Sequence, residues 1–134
     1  MLYFLACHYD RLRDLEKALE CINKAIAHTP TLGDLYTMKA RIIKHSGDLE
    51  EAAATYNYAR ELDEADRYLN AKCAKYYLRI GDINEADEQM KKFVKDPVSG
   101  LLNCHEMQCM WWECELGDSA RLQGDLLLAL KNYK

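Results

Sequence analysis

Chain breakers are scarce in this sequence. Of 134 residues only two are proline and six glycine, while alanine, leucine, glutamate and lysine are plentiful, a balance that favours helix throughout. An excess of basic charge is also missing: 18 Lys and Arg stand against 22 Asp and Glu, a formal net of −4. That argues against a DNA binder or a binder of anionic membranes. Long apolar runs are absent as well. The stretch from Met1 to Cys7 has no basic leader and runs into His8, Asp10, Arg11 and Arg13, so it does not read as a signal peptide. Leu126 to Leu130 falls far short of the roughly 20 residues of a membrane span. A soluble, intracellular protein is expected, with its six cysteines (Cys7, Cys21, Cys73, Cys104, Cys109, Cys114) as reduced thiols. With 49% hydrophobic residues the chain can bury a core, and its length suits one ordinary domain.

What the sequence does have is a repeat of 34 residues. Gly47-Asp48-Leu49 returns as Gly81-Asp82-Ile83, and Ala18, Ala52 and Ala86 keep the same spacing. So do Ala6, Ala40 and Ala74; Tyr9, Ile43 and Tyr77; Leu15, Leu49 and Ile83; and Ile22, Tyr56 and Met90. Small residues at two fixed places with larger apolar ones between them form the tetratricopeptide pattern of paired helices. A fourth copy, Leu116-Gly117, Gly124-Asp125-Leu126, Ala129-Leu130 and Tyr133, is displaced by nine residues.

The fold class expected is therefore all-α: a right-handed solenoid of antiparallel helix pairs. Repeats fall near 1–31, 32–65, 66–98 and 101–134 within a single region 1–134. Gly47, Gly81 and Gly124 suit the left-handed residue that closes a first helix. Asp48, Asp82 and Asp125 then cap the second. Thr29-Pro30 and Asp96-Pro97 mark repeat ends. This punctuation predicts eight helices over 1–12, 15–28, 33–46, 49–63, 67–80, 83–95, 101–123 and 125–134. The nine extra residues, around Asp96 to Gly100, are assigned to an early start of one long helix, because Leu101 to Trp112 contains no breaker. Neither end carries the polar capping helix usual for solenoids, so the chain reads as a piece of a longer array with apolar surface open at both ends.

No catalytic constellation emerges. His105-Glu106 opens like a zinc-protease motif, but Cys109 stands where the second His belongs. Cys104, Cys109 and Cys114 are five apart and fan around a helix, a poor zinc spacing. Arg121 to Leu126 approaches the acetyl-CoA loop pattern and fails at Leu126. Cys73 reads as a small buried residue. Of Trp111 and Trp112, neighbours about 100° apart on a helix, one is expected in the core. Tyr56, Tyr58, Tyr68, Tyr76 and Tyr77, at helical spacing, read as core residues as well.

Charge is distributed unevenly. Helix 33–46 carries Lys39, Arg41 and Lys44 against Asp34, and 66–80 carries Arg67, Lys72, Lys75 and Arg79 against Asp66, whereas 48–64 has a net of −5. In the solenoid expected here, first helices line the concave face, and stacking would gather Arg41, Lys44, Lys72 and Lys75 with His45 alongside. Two explanations stay open on charge alone: a solvated face neutralised by nearby carboxylates, or cations held together by an anion.

Four strings are more particular than the repeat requires: Thr29 to Leu32, Lys39 to Gly47, Ala65 to Tyr76, and Glu106 to Trp111. Together they resemble the auxiliary, ribosome-anchoring subunit of the N-terminal acetyltransferase A (NatA) complex, from about Leu15 to Lys134. Cys104-His105 departs from that family's Leu-Asn. The resemblance implies a non-catalytic scaffold, not an enzyme: a cytoplasmic protein that wraps a catalytic acetyltransferase subunit and supports cotranslational acetylation of nascent N-termini. Ribosome contact would lie in other parts of the parent protein, since no long basic run is present here. It further implies inositol hexakisphosphate as a structural ligand, with no covalent cofactor and no metal. Arg41, Lys44 and Lys72 match the family's basic ligands, and His45 and Lys75 stand beside them. The alternative is a peptide-binding tetratricopeptide adapter of the co-chaperone kind. Such clamps use Lys, Asn and Arg at groove positions that here hold Tyr3, Cys7, Met38 and Tyr68, with only Lys72 basic.

Overall fold

The computed structural model describes residues 1–94 and 100–134. Among these residues there are nine α-helices and no strand: α1 (Leu2–Arg11), α2 (Leu15–His28), α3 (Gly33–Ser46), α4 (Leu49–Leu62), α5 (Arg67–Ile80), α6 (Ile83–Lys91), α7 (Gly100–Glu106), α8 (Met110–Leu122) and α9 (Leu126–Tyr133). The Asp96-Pro97 boundary lies outside the described residues. The chain divides into two compact units, Met1–Leu69 and Asn70–Lys134, the division falling within α5.

In the first unit α1 packs on α2, α3 on α4, and α2 and α3 touch each other. The small residues of the repeat make this possible: Ala6, Ala18, Ala40 and Ala52 have no exposed surface. Ile22 and Ile42 fill the space that they leave and are also fully buried, each stabilising the fold by about 2 kcal/mol relative to exposure. In the second unit α6 packs on α7, α7 on α8 and α8 on α9. Its core joins Ala74 and Leu78 of α5 to Ala86, Cys104, Trp112 and Leu116. Trp112 is buried and Trp111 only partly so, as their angular separation requires. Cys73 has no exposed surface. The tyrosines divide: Tyr56 and Tyr76 are buried, while Tyr58 and Tyr68 stand exposed.

Helix ends follow one geometry. Gly47, Gly81 and Gly124 have φ of +100°, +86° and +83°, and Asp48, Asp82 and Asp125 each accept the backbone N–H three residues on. The first repeat uses the same device without glycine. Arg13 takes φ +63°, Asp14 N–H donates to Tyr9 at 3.0 Å and Arg13 N–H to Asp10 at 3.1 Å, and Asp14 caps α2.

The long helix expected over 101–123 is two helices. Gln108, at φ +53°, breaks it. Gln108 N–H donates to the His105 carbonyl at 3.0 Å, and Cys109 N–H donates to that of Cys104 at 2.9 Å. These paired bonds are the Schellman closure that glycine usually occupies. The count of eight helices in four pairs is corrected accordingly: the insertion supplies a separate short helix, α7. It lies close against α6, where a Cβ on Gly100 would come within 2.8 Å of the Asp87 carbonyl. The sixth helix is also shorter than expected, ending at Lys91 and not at 95.

Candidate functional site

Each unit presents its basic helix face beside a carboxylate that sequence reasoning did not assign to it. In the first unit Leu35, Met38, Ile42 and Ile43 turn the apolar side of α3 into the core. Arg41 and His45, one turn apart, share another face. Both meet Asp10 of α1, whose side chain is 1% exposed: His45 Nδ1 lies 2.6 Å from Asp10 Oδ1, and Arg41 Nε 3.5 Å from Oδ2. A carboxylate has no proton to give, so the imidazole N–H is the donor. Lys44 is half-buried on the same helix. Nearby, burial raises the Tyr3 hydroxyl above its ordinary pKa. Cys7 and Asp34 add to this and Arg41 opposes it.

The second unit repeats the arrangement with other residues. Lys75 Nζ lies 2.7 Å from Glu115 Oε1. Arg79 donates to the same carboxylate through Nε at 3.3 Å and Nη2 at 3.4 Å. Burial alone would raise the Glu115 pKa; hydrogen bonds and charge from Lys75 and Arg79 outweigh it and hold the carboxyl below its ordinary value. Lys72 is half-buried one turn before Lys75.

Of the five basic residues singled out from sequence, the first unit therefore holds Arg41, Lys44 and His45, and the second Lys72 and Lys75. Of the two explanations left open by charge alone, neutralisation by a nearby carboxylate is seen at Arg41, His45 and Lys75. Asp10 and Glu115 were missed because each lies more than thirty residues away in sequence, on a helix brought alongside only by packing. A lone buried acid on an otherwise apolar helix face, as Asp10 is, was the available signal.

Other candidates resolve locally. His105 is 73% exposed, with Nδ1 2.9 Å from Glu113, and among the described residues no group of three or more His, Cys, Asp or Glu could hold a metal ion. The six cysteines are free thiols. At the places where a peptide clamp would offer Lys or Asn, the Cys7 thiol donates to the Met38 sulfur at 3.6 Å and Met38 is buried. Among the described residues no helix is long and apolar enough to cross a membrane.

Residues 1–134 match the sequence model of the family described as N-terminal acetyltransferase A, auxiliary subunit. The chain belongs to this family. It is similar to the mouse N-alpha-acetyltransferase 16, NatA auxiliary subunit, at 53% identity over 84% of the chain and 13% of that protein. To the Arabidopsis thaliana NatA complex auxiliary subunit NAA15 it is 48% identical over 98% of the chain and 15% of that protein. The NatA auxiliary family also supplies a structural match. A chain of the solved structure of Naa15/Naa10 bound to HypK-THB superposes at a TM-score of 0.94 and 44% identity, covering 98% of this chain and 20% of that one. MamA, at TM-score 0.66 and 16% identity, shares the tetratricopeptide-like helical fold. The chain thus spans about 13–20% of the length of these auxiliary subunits.

Proposed function

We propose that this chain is a stretch of the non-catalytic scaffold of an N-terminal protein acetyltransferase complex. In that role it binds the catalytic subunit and supports cotranslational acetylation of nascent chains at the ribosome, in the cytoplasm. The observation that carries this reading is the match, over nearly the whole chain, to the Naa15/Naa10 structure. The helix-pair fold agrees with it, because stacked pairs leave the outward side chains of every helix available to a partner.

Affinity purification of the full-length protein containing this sequence, co-expressed with its catalytic acetyltransferase subunit, tests the proposal. Both subunits are expected to elute together, with acetyl transfer to N-terminal peptides depending on the catalytic one. Elution of the scaffold alone, or acetyl transfer without the catalytic subunit, would overturn it.

Inositol hexakisphosphate belongs to the same proposal as a structural ligand. Its candidate contacts are Arg41, Lys44 and His45 of the first unit and Lys72 and Lys75 of the second. Arg grips phosphate bidentately and Lys as a point charge. Asp10 and Glu115 offset part of the positive charge of Arg41, His45 and Lys75. Calorimetry on the reconstituted complex is expected to show binding that drops sharply in Lys44→Glu and in Lys72→Glu; unchanged binding in both removes these residues from the site.

A further inference from the structure

The insertion that distinguishes the fourth repeat also sets two thiols together. Cys104 is the third residue from the end of α7's hydrogen-bonded ladder, and Cys109 follows the left-handed Gln108. The Schellman closure joins them directly, Cys109 N–H to Cys104 carbonyl at 2.9 Å. In this motif those two positions are the ones whose side chains meet. Here Cys109 packs against the core cluster that contains Cys104, and its thiol contributes to raising the Cys104 pKa. A direct backbone bond keeps the two residues at the close range disulfides require, Cα atoms about 4.4–6.8 Å apart.

We propose that Cys104 and Cys109 form a redox-responsive dithiol, which closes to an intramolecular disulfide by exchange with a small-molecule disulfide such as oxidised glutathione and so clasps the α7–α8 corner. Access orders the two steps. Cys104 is 2% exposed, and burial, with Cys109 and Asp87 adding to it, pushes its thiol up to about 12. Cys109 is only half-buried and reacts first. Its thiolate attacks one sulfur of oxidised glutathione, the glutathione S–S bond breaks, and one glutathione leaves as thiolate, leaving Cys109 as a mixed disulfide. Cys104 then loses its proton to solvent and attacks the Cys109 sulfur, expelling the second glutathione thiolate. Two protein thiols are oxidised and one glutathione disulfide is reduced to two thiols, with the released protons balancing the two thiolates. The exposed Cys114 lies a full helix turn into α8 and outside this contact.

A Glu-specific protease reads the product, because Glu106 separates Cys104 from Cys109 and Glu113 separates Cys109 from Cys114. The full chain is equilibrated with oxidised and reduced glutathione, acid-quenched, alkylated, digested and mapped by mass spectrometry without reduction. A Cys104–Cys109 cross-linked peptide pair, two hydrogens lighter than the sum of its parts, is expected, with helical circular dichroism unchanged. Cys104→Ser should trap glutathione on Cys109, whereas Cys109→Ser should leave Cys104 unmodified. A stable glutathione adduct on Cys109 in the unsubstituted chain, a Cys109–Cys114 link, or loss of helix on oxidation would overturn the proposal.

Discussion

His45 of α3 and Asp10 of α1 are joined by a 2.6 Å hydrogen bond from Nδ1 to Oδ1, and this bond ties the first helix of one repeat to the first helix of the next. The carboxylate is 1% exposed and the imidazole 19%. Arg41 covers the other carboxylate oxygen from a half-solvated position, so most of the coupling rests on His45.

Removing Asp10 leaves a half-buried imidazole without its acceptor. Asp10→Ala is expected to destabilise the chain by about 2–3 kcal/mol. Asp10→Asn, which keeps an acceptor oxygen, should cost about 1 kcal/mol. Urea unfolding midpoints measure both, and an unchanged midpoint in Asp10→Ala would show that the pair contributes nothing.

Arg13 holds a conformation that the later repeats give to glycine. Its φ of +63° strains an L-residue by roughly 1–2 kcal/mol. Part of that gain is cancelled by the greater freedom of glycine in the unfolded chain. Arg13→Gly should therefore stabilise the protein by about 0.5–1 kcal/mol, seen as a higher melting temperature; Arg13→Ala should not.

Gly100 marks the opposite situation, where space is limiting. A methyl group there meets the Asp87 carbonyl and Met90 Cβ, both at 2.8 Å. Gly100→Ala is expected to cost about 1–3 kcal/mol by forcing α6 and α7 apart, despite alanine's better helix propensity. A denaturation curve superimposable on that of the unsubstituted chain would contradict the packing described.

Glu115 makes part of the acid sensitivity. Its folded-state pKa lies below the ordinary 4.5 because Lys75 and Arg79 outweigh the opposing effect of burial. A depressed carboxyl contributes stability that is fully present above the unfolded value and is lost as pH falls through the folded one. Stability measured against pH should thus decline below about pH 4.5, and Glu115→Gln should flatten that limb while lowering stability at neutral pH.

Much of the fold was legible because it is written in local terms. The Gly-Asp pairs at 47–48, 81–82 and 124–125 end and start helices through their own backbone preferences. The alanines at 34-residue intervals report close helix approach. Both signals survive without any knowledge of distant contacts. The first repeat shows the limit: Arg13-Asp14 does the same work, and only the dihedral angle reveals it.

The sequence by itself determined the repeat, the capping chemistry, the buried small residues and the family. These depend on periodicity and on side chains acting on their own backbone. Only the tertiary structure decided where the insertion breaks, because Gln108 carries no compositional mark of a helix end and adopts φ +53° within a closure made by its neighbours. Only the tertiary structure paired the basic residues with acids. Asp10 with His45 and Glu115 with Lys75 are contacts across 35 and 40 positions, and an ion pair between helices depends on which faces packing brings together, a property that net charge along one helix does not contain.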